Sequence, residues 1–171
     1  MKILKIHKHP DILNLDGKTM FTRLSTRAIA LQGESILLLH TKRYDDYSLP
    51  GGGLDEGEDP ALGMARELNE ETGAQNIKNI EEFGVYEEYR PWYKPDFDVQ
   101  HMISYCYSCT VDFELGETKY EDYELKNGMA PKWVNIYDAI KHNEHTIKHS
   151  PKKGMSIERE TFLLKLISQK L

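Results

Sequence analysis

"LPGGGLDEGEDPALGMARELNEETGA" occupies residues 49–74 and decides how the rest of the chain is read. Gly51, Gly52 and Gly53, each costly in conformational entropy, run into Asp55, Glu56, Glu58 and Asp59 and then into Pro60. From there the pattern predicts a helix. Asp59 suits its N-cap, Pro60 its first position, where no amide donor is needed, and Gly73 its left-handed stop. Ala61, Ala65, Leu68 and Thr72 form a narrow stripe of small or apolar residues expected to pack on a sheet.

The opposite face poses an electrostatic problem. At 3.6 residues per turn Glu67, Glu70 and Glu71 project within a sector of roughly 100° and repel one another. Arg66 can pair with Glu70 at i+4, but one guanidinium cannot neutralise three carboxylates. A hard divalent cation, Mg²⁺ or Mn²⁺, can, because it prefers carboxylate oxygens, carbonyls and water. The glycines then have a purpose: without side chains, residues 51–53 bring a backbone carbonyl close to such an ion. No Lys-Ser/Thr follows them, so the stretch is not a phosphate-cradling loop. The bland alternative, a solvated acidic helix face, leaves the glycine run, the caps and the clustered glutamates as separate accidents.

Around this core the chain is 171 residues long, enough for one domain with its own apolar interior. A formal net charge of −6 argues against a duplex nucleic-acid coat. No apolar run approaches the ~20 residues of a membrane span, and "MKILKIHKHP" lacks a secretory apolar core, so a cytoplasmic protein is expected. Cys106 and Cys109 invite a redox or zinc reading. They lie in "VQHMISYCYSCTVDF", whose alternation predicts a strand, and there they point to opposite faces as buried thiols.

The remaining pattern predicts an α+β fold, a mixed β-sheet sandwiched between α-helices. A hairpin is expected over Arg27–Leu31 and Ser35–Thr41, turning at Gly33-Glu34. Strands are expected over Ile77–Arg90 and Val99–Phe113 and around Trp133–Ile136, with a helical turn at Asp138–Lys141. A final helix over 156–170 is capped by Ser156. Residues 1–24 read as an N-terminal extension with a strand at Lys2–His7 and a turn at Asp16-Gly17.

Gly52, five residues, Glu58, seven residues and then "RELNEETGA" from Arg66 to Ala74 resemble the box of the Nudix (MutT-like) hydrolases, here residues 52–74. Ala74 is smaller than the family's usual aliphatic residue. The strands before the box and "KWVNIYDAI" after it follow the family's order. The resemblance implies metal-dependent hydrolysis of a nucleoside diphosphate linked to another moiety X, by water attack on phosphorus. It implies Glu67, Glu70 and Glu71 as metal-binding carboxylates, the Gly52 carbonyl as a further ligand, and Mg²⁺ or Mn²⁺ as cofactor. Glu58 and Arg66 are implied to be structural, tying loop to helix. Catalytic roles fall to Glu70 and Glu71, with a general base from a later loop. There Glu117, Glu121 and Glu124 are candidates, and Glu124 is favoured from its place ahead of Trp133.

Substrate contacts are expected from Arg27, Arg43 and Arg90, with Trp92 and Tyr93 stacking on a base; the aromatics of "EEYRPWYKPDF" could equally cover the core. The partner is a small nucleotide-type molecule, and a homodimer is common in the family. His142, His145 and His149 have helical spacing that can be drawn as a metal site, with no carboxylate pattern beside it. Two other classes compete with the hydrolase. A nucleotide-sensing module without turnover is disfavoured by the intact box, and an isomerase on the same scaffold by departures that such enzymes carry.

Overall fold

The structure, a computed structural model, describes residues 1–171. In chain order its elements are β1 (Ile3–Lys8), β2 (Met20–Gln32), β3 (Ser35–Thr41), β4 (Asp46–Ser48), α1 (Pro60–Thr72), β5 (Lys78–Pro91), β6 (Val99–Thr110), α2 (Asp122–Asn127), β7 (Met129–Asn135), α3 (Ile136–His149) and α4 (Ile157–Ser168). The strands follow the order β1-β5-β6-β2-β3-β4, with β7 paired to β3. β1 with β5 and β2 with β6 are parallel, and the other pairs are antiparallel, which gives the expected mixed sheet.

The hairpin at Gly33-Glu34 forms, but it is shorter than its two strands. Only Leu31↔Ile36 and Gln32↔Ser35 pair. Beyond them the glycine stretch takes the free edge of β2: Thr26 N–H donates to the Gly52 carbonyl at 3.0 Å, Ala28 N–H to Pro50 at 2.8 Å, and Leu54 N–H to Leu24 at 2.9 Å. Backbone groups that β3 leaves unpaired are thus satisfied by the loop that leads to α1.

Alternation along the central strands splits the interior in two. Ile29, Ile36, Leu38 and Cys106 face α3 and α4, packing with Ile136, Ile140, Leu163, Leu164 and Ile167. Ala28, Ala30, Leu37, Tyr107 and Cys109 face α1, packing with Met64 and Leu68. Helices therefore cover both faces of the sheet. The two cysteines are free, buried and on opposite faces, as strand geometry requires.

Several sequence expectations need correction. Residues 1–24 carry more than the strand expected at Lys2–His7, which forms as β1 and joins the sheet beside β5: β2 already begins at Met20. The turn at Asp138–Lys141 is part of α3, a longer helix capped by Asn135, whose side chain accepts from Tyr137 N at 3.0 Å and Asp138 N at 3.3 Å. Ser156 precedes α4 without capping it through its side chain, because its backbone is already helical (φ −89°, ψ −13°). β4 and α2, each short, were not anticipated. No helix is long and apolar enough to cross a membrane.

Candidate active site

The site is built around α1. Asp59 Oδ1 accepts from Ala61 N at 3.0 Å and Leu62 N at 3.1 Å, and Gly73 closes the helix at φ 72°. The buried side chains are Met64, Leu68, Glu71 and Thr72, so the packing stripe runs through Met64 in place of Ala65. Burial of Glu71 on this arc places a carboxylate at the margin of the core. Ala74 is buried against the same cluster.

Two glycines set the approach of the loop. At Gly51 (φ 149°) a Cβ would lie 2.0 Å from the Thr26 carbonyl oxygen, and its N–H donates to Glu71 Oε2 at 2.7 Å. At Gly52 a Cβ would lie 2.7 Å from the Glu67 carboxyl carbon, so only glycine lets the backbone pass this close. The Gly52 carbonyl takes the Thr26 N–H, and its second lone pair remains available to a cation.

Arg66 is the hub. It grips Glu58 with a fork, Nε to Oε1 at 2.8 Å and Nη2 to Oε2 at 3.1 Å. Its Nη1 also meets Glu67 at 2.9 Å and Glu70 at 3.3 Å. Glu58 in turn accepts the Asp55 N–H at 2.9 Å, which ties the loop to the helix. That fork, with the backbone hydrogen bond, holds the Glu58 carboxyl down to about 2. The inner carboxylates lack such relief. Burial pushes Glu67 up against the opposing pull of Arg66, and it pushes Glu71 well up, with repulsion from Glu67 and Glu124 adding to it.

A cleft of about 1060 Å³ is lined by Gly52, Glu58, Arg66, Glu67, Glu70, Glu71 and Glu124, so every residue expected to hold the metal or do the chemistry reaches one space. Glu124 arrives on α2, 5% exposed, its Oε2 accepting the Glu121 N–H at 2.7 Å and its Oε1 the Tyr123 hydroxyl at 3.3 Å. Glu121 also lines the cleft, whereas Glu117 does not. The donor set fits a hard divalent cation: carboxylates in excess of their one guanidinium, with a backbone carbonyl beside them.

An adjoining cavity of about 390 Å³ shares Arg23, Gly52, Gly53, Glu71, Tyr123 and Glu124 with the cleft and is lined beyond them by Arg27, Arg90 and Arg159. Burial, then the neighbouring Arg159 charge, pushes Arg27 and Arg90 down to about 10, which leaves both cationic at neutral pH. Behind them runs a buried chain of charges: Arg90 pairs with Glu88, Glu88 with Arg159 at 3.1 Å, and Arg159 with Glu160 at 2.7 Å. Glu160 Oε1 lies 3.6 Å from Arg27 Nε, and its Oε2 accepts the Leu49 N–H at 2.9 Å.

Of the expected substrate contacts, Arg27, Arg90, Trp92 and Tyr93 line this second cavity. Trp92 packs edge-on against Phe21 (4.7 Å) and donates to Asp96, while Tyr93 is 80% exposed. Arg43 is the exception. It donates to Asn127 and lies over the Tyr44 ring, away from both cavities. Arg23, Lys119, Tyr123, Arg159 and Glu160 were not anticipated. Arg23 was within reach, since Arg23, Ser25 and Arg27 follow the two-residue period of β2 and line one cavity. The three histidines do not gather. The His145 and His149 rings pack tilted, 4.2 Å between centroids, whereas His142 turns to Asp45.

Comparison with known proteins bears on the family of the chain. Over 113 residues the chain is 33% identical to diphosphoinositol polyphosphate phosphohydrolase 2 of Rattus norvegicus, covering 64% of this chain and 55% of that protein. A 38-residue segment is 53% identical to an 8-oxo-(d)GTP phosphatase of Mycolicibacterium smegmatis, covering 22% of this chain and 12% of that protein. The matches thus span little more than half the length of the one relative and a small part of the other. The MutT protein of Bacillus halodurans superposes with a TM-score of 0.55 at 20% identity, covering 77% of this chain and 84% of that one, a likeness of fold. A NUDIX domain matches residues 22–153, from near the start of β2 through the helix that follows β7, and the chain therefore belongs to the NUDIX family.

Proposed function

We propose that the protein hydrolyses a pyrophosphate bond in a nucleoside diphosphate linked to a second moiety, with Mg²⁺ or Mn²⁺ bound by Glu67, Glu70, Glu71 and the Gly52 carbonyl. The observation that carries this reading is the polarity of the joined cavities. Glu67 and Glu70 line one end alone, Arg27, Arg90 and Arg159 line the other alone, and Arg23, Glu71 and Glu124 stand where the two join. An anionic substrate is repelled by the first end alone and held by the second, so a cation at the glutamates lets one diphosphate bridge both. When bound, the ion neutralises phosphate oxygens and lowers the pKa of an attacking water.

The chain's own residues do the rest. Arg66, anchored on Glu58, fixes the Glu67 and Glu70 carboxylates, and Gly51 N–H fixes Glu71. Glu124 accepts the proton of the attacking water; its two oxygens are oriented by the Glu121 amide and the Tyr123 hydroxyl. The arginines bind the phosphate that leaves or the anionic part that remains, and Tyr93 offers a ring face beside them. Free buried thiols suit a reducing compartment such as the cytoplasm.

The test is a panel of nucleoside triphosphates, their oxidised forms, nucleotide sugars, dinucleotides and diphosphoinositol compounds, with Mg²⁺ and with Mn²⁺, read as phosphate after added phosphatase where the products are phosphomonoesters and after added pyrophosphatase where pyrophosphate leaves. Turnover on one class should vanish in Glu71→Gln, with circular dichroism unchanged. Turnover that survives Glu71→Gln and Glu70→Gln would remove the glutamates from the mechanism. Tight binding with no product after long incubation would replace the enzyme by a sensing module.

A further inference from the structure

Outside the cleft, side chains from β3, from the turn before β4 and from α3 converge on one point. His40 Nε2, from β3, lies 3.1 Å from Asp45 Oδ1, and His142 Nε2, from α3, lies 3.0 Å from the same oxygen. All three ligand atoms fall within 4.8 Å of one another, and none of the three residues lines either active-site cavity. We propose that His40, Asp45 and His142 form a second metal centre, for a borderline transition ion such as Zn²⁺, independent of the glutamate site.

The chemistry separates the two sites. Carboxylates and a carbonyl suit Mg²⁺ or Mn²⁺, whereas imidazole nitrogens favour Zn²⁺ and its neighbours in the first transition row. Ligands held at about 2.0–2.1 Å in a tetrahedron stand ~3.3 Å apart, so the contacts of His40 and His142 with Asp45 need to open by only a few tenths of an ångström. Each ring would carry its proton on Nδ1 and offer the Nε2 lone pair. Three protein ligands leave the fourth position to water.

The position is also preorganised. Asp45 adopts the left-handed region at φ 51°, uncommon for a residue with a side chain. Its N–H donates to Thr41 O at 2.8 Å, and its carbonyl accepts from Thr146 Oγ1 at 2.8 Å, so the turn is held from both sides. Tyr47 packs against the His40 and His142 rings, each at 5.1 Å between centroids. His142 Nε2 divides its contact between Asp45 Oδ1 and the Asp45 carbonyl at 3.1 Å. A bound ion would staple α3 to the turn before β4, and β4 leads directly into Leu49–Gly53.

The test is calorimetric titration of the metal-free, full-length chain with Zn²⁺ in excess Mg²⁺, which keeps the glutamates occupied. One equivalent should bind, at least tenfold more weakly in His142→Gln and in His40→Gln, and unchanged in His149→Gln, which disables the neighbouring histidine pair. His142 is partly exposed, and circular dichroism checks that each variant folds. Equal affinity in the wild type and both ligand variants would overturn the proposal, as would loss of binding in His149→Gln. Loss of Zn²⁺ binding in Glu71→Gln would assign the ion to the catalytic cleft instead. Because binding is the readout, failure here leaves the hydrolase reading untouched.

Discussion

Adding one methyl group at either of two adjacent glycines should separate folding from turnover. At Gly52 a Cβ would meet the Glu67 carboxylate at 2.7–2.8 Å, and nothing in its backbone angles forbids a side chain. Ordinary carbon contact begins near 3.5 Å, so the carboxylate must retreat by roughly 0.8 Å. It is the mobile end of a side chain, and the fold can let it go, but retreat breaks its 2.9 Å bond to Arg66. Misplacement of a reacting constellation by about 1 Å costs on the order of 100-fold in rate. Gly52→Ala is therefore expected to melt within a few degrees of the wild type while kcat/KM falls roughly 100-fold. At Gly51 the obstacle is backbone, 2.0 Å from the Thr26 carbonyl oxygen, at φ 149°. Gly51→Ala should instead lose stability, because β2 and the loop must separate. The paired assay is thermal unfolding and steady-state hydrolysis on one substrate at saturating Mg²⁺. Full activity in Gly52→Ala would show that Glu67 does not need its observed position, and the assignment of metal ligands would fall with it.

Arg66→Lys keeps the charge but loses the fork to Glu58 and the reach to Glu67 and Glu70. The Mg²⁺ concentration for half-maximal turnover should rise by about 10- to 100-fold, and an unchanged metal dependence would reduce Arg66 to a surface cation. Burial pushes the Cys106 thiol up to about 12 and Cys109 to about 11 from an ordinary value of 9.0. Above pH 9 the unfolded chain sheds thiol protons that the folded chain keeps, so stability falls as pH rises, by up to ~1.4 kcal/mol per pH unit for each thiol. Urea unfolding between pH 8 and 10.5 should show a shallower decline in Cys106→Ala than in the wild type; parallel declines would mean that this thiol does not contribute.

The two ends of the cleft differed in how far the sequence could reveal them, and the reason is contact range. α1 was readable because its cap, first-turn proline and stop act on neighbours within a few residues, as does the i+4 contact of Arg66 with Glu70. Even the tie between Glu58 and Arg66 spans only eight positions. The basic end has no such locality. Arg159 meets Glu88 across 71 residues, and Glu160 holds the Leu49 amide across 111. Nothing in "SIERETFLLKL" announces this. The helical period marks Leu163, Leu164 and Ile167 as core, and Arg159 and Glu160 read as ordinary charges of a first turn. Arg43 failed for the opposite reason: adjacency to the box in sequence is not adjacency in space, since the turn after β3 carries it to Asn127.

α4 lies beyond residues 22–153, which carry the family match, yet it reaches the glycine stretch more directly than its surroundings suggest. Glu160 holds Leu49 N–H, two residues before the amide that Glu71 holds, so carboxylates from helices on opposite faces of the sheet grip the same short segment. Removal of one partner from such a buried arrangement leaves an unpaired charge, which costs more than the bond itself. Loss of α4 therefore cannot act as the loss of a peripheral helix. It uncovers Arg27, whose Nε has no hydrogen-bond acceptor and has Glu160 as its nearest carboxylate, and it strips Arg159 from the basic end of the cavity. On the proposed reading the box supplies the ligands for a cation, but their register against β2 is fixed in part by a helix that the box does not specify.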